Sequence, residues 1–331
     1  MAQLIKLQDY ISRYQLDLTR YPTQYVRLKR TQWEKVKQQW LSGGEPMAWE
    51  HFGEEEEQPK RFSILKRWFA KKRSIQDDME NVDGFQHPIS DTEEHGDGPD
   101  LSFEPKIIHR PSNLEELKRM FLDQLFQFQI RWASSTLLEQ SNVDPRFYRD
   151  SFLKTVLQRL PDNYFVFYYP VIKVKNAPIE LDVILLSPTE CLCITLVEAE
   201  EDAFYVGDGE RFWTKKIGKR DVKILNPLLQ LNRMEMIVNQ LFKHHQVEIP
   251  IRKILLSRNG YFDRSMSHFN VQYVDKRGYS SWFLHLKYSP SPIKKNQFEA
   301  AQAILNSVET AAYPRGIRNG QKSEEQPESG S

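Results

Sequence analysis

The run ELDVILLSPTECLCITLVEAEE, from Glu180 to Glu201, decides how this chain is built. It holds two apolar, β-branched stretches, IELDVILLS (179–187) and CLCITLVE (191–198), which read as successive strands. A carboxylate, Asp182, stands beside the first strand, and an acidic cluster closes the second. No lysine occurs anywhere in the run. Cys191 and Cys193, the chain's two cysteines, sit at i and i+2 on one strand face, too far apart to bridge without distortion. They read as buried packing, since a zinc site needs about four ligands at recognisable spacing.

Outward from this pair the pattern continues. SNLEELKRMFLDQLFQFQIRWASSTLLEQ (112–140) opens on a helix cap and keeps helical spacing, and RFYRDSFLKTVLQRL (146–160) is a second helix stopped by Pro161. YFVFYYPVIKV (164–174) precedes the central pair, and AFYV (203–206) turns through Gly207-Asp208-Gly209 into RFWTKK (211–216). NPLLQLNRMEMIVNQLFKHH (226–245) is a strong helix, with Pro227 suited to its first turn. IRKILLS and VQYVD read as further strands, and KNQFEAAQAILNSVETA as a closing helix. This order predicts an α/β fold with a mixed sheet flanked by helices, not the regular strand–helix alternation of a dinucleotide-binding fold.

The remaining segments differ in character. Residues 1–75 carry 15 Lys and Arg against 9 Asp and Glu. LIKLQDYISRYQLDL, YVRLKRTQWEKVKQQWL and RFSILKRWFAKKR within them read as helices of a basic N-terminal region. Residues 76–105 hold ten acids and no Lys or Arg, the composition of a disordered acidic linker. An α/β domain over 106–313 and a low-complexity tail over 314–331 complete the division. The N-terminus lacks an apolar signal core, and no run approaches the ~18 apolar residues of a spanning helix, so a soluble, cytoplasmic chain is expected. A formal net charge of +1 excludes a uniformly basic nucleic-acid binder but leaves room for local patches. The loops G-x-G-x-x-G and G-x-x-x-x-G-K-[ST] are missing, as is G-x-S-x-G, so nucleotide-loop and serine-hydrolase chemistry lack sequence support.

IELDVILLSPTECLCI, GERFW and NPLLQLNRMEMIVNQLF, in that order, resemble the nuclease-related domain (NERD) family over about residues 140–265. This family is a branch of the restriction-endonuclease-like PD-(D/E)XK nucleases, and its Asn-Pro-x-x-Gln helix start appears here as Asn226, Pro227 and Gln230. The resemblance implies a restriction-endonuclease-like fold. It also implies a site in which Mg or Mn is held by a strand-end Asp, a Glu on the next strand and often a helix acid. Such a metal lowers the pKa of a bound water and offsets phosphate charge, while a Lys near the Glu stabilises charge developing at the reacting centre. Asp182 matches the first Asp, and Asp150 falls near the helix acid. Counted without gaps, however, Glu-x-Lys lands on Thr195-Leu196-Val197. Glu198 and Glu200, displaced by an odd number of residues, would need a bulge to reach the same face. Glu200 would then put negative charge where the family has positive.

The expectation is therefore a NERD protein whose catalytic centre has degenerated and which serves as a nucleic-acid-binding or interaction module. Its contacts with DNA or RNA would come from Arg211, Lys215, Lys216, Lys219 and Arg220, in a basic segment that also includes Lys223. The same cations also suit an ordinary solvated edge strand. Two other readings remain. One is a divergent Mg- or Mn-dependent nuclease using Asp182 with Glu198 or Glu200. The other is a regulatory protein without nucleic-acid affinity, which meets a protein partner through residues 1–75. The aromatic and basic RFSILKRWFAKKR also suits peripheral contact with an anionic membrane.

Overall fold

The computed structural model describes residues 1–42, 103–107, 111–136, 139–175, 177–198, 202–207, 210–263, 265–266, 268, 270–288 and 291–310. The RFSILKRWFAKKR helix, nearly all of the acidic linker, the 314–331 tail, Glu200 and the Asp208-Gly209 turn lie outside these residues.

The chain begins with β1 (Gln3–Leu7), a 3-10 turn (Arg13–Gln15) and α1 (Arg20–Leu41). Helices α2 (Leu114–Ala133), α3 (Pro145–Arg149) and α4 (Ser151–Arg159) follow. Next come β2 (Phe165–Tyr168), the hairpin β3 (Val171–Val174) and β4 (Ala177–Glu180), then β5 (Val183–Leu186) and β6 (Cys191–Leu196). Strands β7 (Phe204–Val206), β8 (Phe212–Ile217) and β9 (Arg220–Leu225) lead into α5 (Pro227–His244). Finally β10 (Ile251–Leu256), β11 (Tyr261–Phe262) and β12 (Val271–Val274) precede α6 (Tyr279–Lys287) and α7 (Lys295–Leu305). Among the described residues, no helix is long and apolar enough to cross a membrane.

Six strands form the main sheet in the order β1-β2-β5-β6-β10-β12, and β11-β7-β8-β9 form a smaller one. The main sheet is mixed: β5 runs antiparallel to β2 and β6, while the β1–β2, β6–β10 and β10–β12 pairs are parallel. The expected α/β architecture with a mixed sheet and flanking helices is what the chain adopts. Strands β2, β5 and almost all of β6 are buried on both faces, which explains why they read as near-continuous apolar runs.

One local expectation is corrected. Residues 3–7 form a strand rather than a helix, and β1 pairs with β2 as an edge of the main sheet. A short apolar run fits either periodicity, and here a sheet edge buries all five side chains, Lys6 included. The second stretch, from Arg20 to Leu41, is helical as its spacing predicts. The expected helix over 146–160 is broken at Asp150, which ends α3 and caps α4.

Candidate functional site

The strand directions bring β1, β2, β6, β10 and β12 to their carboxyl ends at the same edge where β5 begins. In open α/β sheets this is where ligands gather. Asp182 precedes β5 at this edge. The β5–β6 register runs without a shift from Leu186↔Cys191 to Val183↔Ile194, so Thr195 stands across from Asp182. Thr195 Oγ1 donates to Asp182 Oδ2 at 2.5 Å. Gln230 Nε2, one turn into α5, donates to Oδ1 at 2.5 Å. Asp182 is only 7% exposed. Burial pushes its carboxyl above the ordinary value and Glu180 adds to this, while the two hydrogen bonds and Arg233 oppose it.

Gln230 reaches this position because Asn226 starts α5 where it does. Asn226 Oδ1 accepts from Leu228 N at 2.9 Å as the helix cap, and its Nδ2 donates to the Glu210 carbonyl at 2.7 Å. A single residue thus fixes the helix start and ties it to the chain entering β8.

The other candidate acids lie elsewhere. Asp150 caps α4, its Oδ1 accepting from Phe152 N and Leu153 N at 2.9 Å each. Its Oδ2 accepts from the buried Tyr168 hydroxyl at 2.7 Å. Tyr168 faces Val183, one residue out of phase with Asp182, so alternation puts the Asp150 contact and the Asp182 cluster on opposite faces of the sheet. Glu198 forms a two-pronged ion pair with Arg258. Arg258 Nε donates to Glu198 Oε1, and Nη2 donates to Oε2 at 2.6 Å and to Ser151 Oγ at 3.1 Å. Glu198 therefore joins the amino end of α4 and does not meet Asp182. Among the described residues, no group of three or more His, Cys, Asp and Glu side chains converges as metal ligands. The donors around Asp182, a threonine hydroxyl and a carboxamide N–H, are hydrogen-bond partners of a carboxyl, and the described residues do not by themselves complete a divalent-cation cage.

The roles of Asp150 can be separated. Asp150→Ala removes the cap and strands the buried Tyr168 hydroxyl, so a loss of about 2–4 kcal/mol is expected in denaturant unfolding. Asp150→Asn keeps a capping oxygen and is expected to lose under about 1 kcal/mol. Equal losses in both variants would assign the carboxylate charge a role beyond capping.

Two further features mark this edge. Gln8 and Tyr169 hold left-handed backbones, with φ of 42° and 50°, at the ends of β1 and β2. Such strain in non-glycine residues concentrates at functional positions. Gln8 links Arg146 to Glu180, accepting from the first at 3.2 Å and donating to the second at 2.8 Å. The Tyr169 phenol is pushed up to about 12 by burial and then by the Asp182 and Asp150 carboxylates. Gln8 and Arg258 were not singled out by sequence reasoning, because only the pairing of strands remote in sequence brings them here.

The small sheet grows from the same edge, with β7 following β6 and β11 following β10. Strands β8 and β9 form a hairpin closed by Gly218-Lys219, in which Gly218 takes the positive φ (57°) that this two-residue turn needs. Alternation divides the cations of the basic segment. Lys216 and Lys223 share a face with Phe212 and Leu225, Lys215 and Arg220 share the other with the buried Trp213, and Lys219 occupies the turn. Arg211 precedes β8, its guanidinium 5.5 Å from the Phe212 ring centroid.

Residues 148–258, which include Asp182, Thr195, Gln230 and the β8–β9 hairpin, match the family model of NERD, the nuclease-related domain. A protein of Geobacillus stearothermophilus named RNA 2',3'-cyclic phosphodiesterase is 33% identical over 135 residues, which are 39% of this chain and 36% of that relative. The chain thus spans about a third of the length of the curated relative it matches. No solved structure matches it.

Proposed function

We propose that this protein, built around a nuclease-related domain, binds nucleic acid through the β8–β9 hairpin and does not hydrolyse it. The observation that carries this reading is the in-register pairing of Asp182 with Thr195. Where a metal-dependent nuclease sets a second carboxylate, this sheet sets a hydroxyl that donates to the first. Val197 then falls where the family's lysine stands. Thr195 and Gln230 each donate to one Asp182 oxygen, and among the described residues no group of three or more metal-ligating side chains gathers there. The hairpin, connected to Asp182 through Asn226 and Gln230, provides the cations for a phosphodiester backbone. The relative's name, which places RNA phosphodiesters with that protein, supports RNA as the first nucleic acid to test.

The test joins two assays on the full chain. Calorimetric titration of Mg and Mn into wild type and Asp182→Ala is expected to show no heat that depends on Asp182. Labelled RNA and DNA are expected to remain intact with either metal. RNA binding, followed by anisotropy, is expected to weaken with salt. In Lys216→Glu, whose side chain shares the face of Phe212, the salt slope should fall by about 0.7, for one lost contact to a single strand, and Lys215→Glu, on the other face, should change it less. Metal binding that disappears in Asp182→Ala, accompanied by cleavage, would replace this reading with that of a divergent nuclease recruiting further carboxylates.

A further inference from the structure

The β8–β9 hairpin carries more than charge. A strand edge solvated only by lysines would bury or omit its large apolar groups, yet Phe212 is 48% exposed and its cross-strand partner Leu225 is 58% exposed. Leu229, in the first turn of α5, is 46% exposed. Leu225 immediately precedes the Asn226 cap, where an apolar residue often packs against the fourth helical position. That position is Gln230, which is committed to Asp182, so Leu225 is left without an apolar staple there. On the opposite face of β8, Trp213 is fully buried and anchors the strand, so Phe212 is presented from a fixed backbone.

We infer that Phe212 and Leu225 form a stacking platform for an unpaired base, making single-stranded nucleic acid the ligand class of this hairpin. This rests on the nucleic-acid reading above. Aromatic faces flanked by cations are how proteins hold single strands without sequence preference, because every base offers a π-face while the phosphates track the positive charge. Here Arg211 lies over the Phe212 ring, and Lys216 and Lys223 share the platform's face. Asp221 is paired across from Lys216, and Lys223 donates to Thr214 Oγ1, so cations outnumber acids there. A duplex keeps its bases stacked inside and offers such a platform only phosphates, so it gains nothing from the exposed ring.

The experiment compares a 12-nucleotide uridine RNA, a blunt RNA duplex of equal length and phosphatidylserine vesicles, each at two salt concentrations, with full-length protein. Wild type is expected to bind the single strand more tightly than the duplex. Stacking is worth about 1–3 kcal/mol per base, so Phe212→Ala should weaken the single strand by about 5- to 150-fold with an unchanged salt slope. Phe212→Trp should restore binding, and Phe212→Leu, which keeps apolar area but has no ring, should not. Because Phe212 is half-exposed, all three variants are expected to fold, which circular dichroism checks. Equal binding of single strand and duplex, unaffected by Phe212→Ala, would overturn the platform and leave the nucleic-acid reading standing. No binding to either RNA would overturn both. Vesicle binding that Phe212→Leu retains, without single-strand affinity, would overturn the platform in favour of a membrane contact.

Discussion

Replacing Lys6 by methionine is expected to remove a steep pH dependence of stability between pH 7 and 10.5. Lys6 is completely buried in β1, its Nζ donating to the Tyr10 carbonyl at 2.5 Å and to Thr310 Oγ1 at 2.8 Å. Burial lowers its pKa from 10.5 to about 7, with Asp9 partly opposing. Between these values the unfolded chain holds the proton and the folded chain does not, so stability rises with pH. Below pH 7 both states are protonated and the penalty for burying the charge is borne in full. Above 10.5 both are neutral and the penalty is gone. The slope approaches about 1.4 kcal/mol per pH unit, and the whole window contributes on the order of a few kcal/mol. Denaturant unfolding at pH 6 to 10 should therefore show wild type gaining on Lys6→Met as pH rises. Parallel curves would mean that the ammonium reaches water in the folded protein.

Trp213→Ala is expected to cost about 3–5 kcal/mol, the range for emptying a large buried aromatic site. The ring is 1% exposed and lies so close to Gly207 that a methyl group there would sit 3.2 Å from it. Neighbouring backbone can relax only partly into the space. The loss should fall first on the small sheet, with amides of β8 and β9 losing hydrogen-exchange protection before those of β5 and β6. RNA affinity should fall with it, since the platform and the cations share this support. Uniform loss of protection across both sheets would show that they unfold as one unit.

Much of this molecule was legible in its residues, and the physics of each element explains which parts were. The apolar runs around Asp182 announced buried strands, and Asn226-Pro227 announced the start of α5. The gapless count that landed the family's Glu position on Thr195 meets a β5–β6 register without a shift between Val183 and Leu186. Other features depend on partners remote in sequence. QLIKL reads equally as a turn of helix or a strand until β2 claims it. The Glu198–Arg258 ion pair follows from the parallel β6–β10 pairing, which aligns strand ends 60 residues apart. Asp150 reads as a mid-helix acid because nothing local reveals that Tyr168 awaits its second oxygen. The basic segment reads as one patch, whereas strand alternation deals its cations to two faces.

The place of β1 has a consequence for how the protein is made. Gln3 lies beside Phe165, so the ribosome finishes an apolar edge strand long before its neighbour exists. At roughly 5–20 residues per second, that interval is on the order of ten seconds or more. Through it, QLIKL is a nascent strand with nothing to join, and the main sheet cannot acquire its β1 edge until β2 emerges. Lys6 then supplies a solubilising charge at the centre of that waiting segment, and gives up its water when the strand docks.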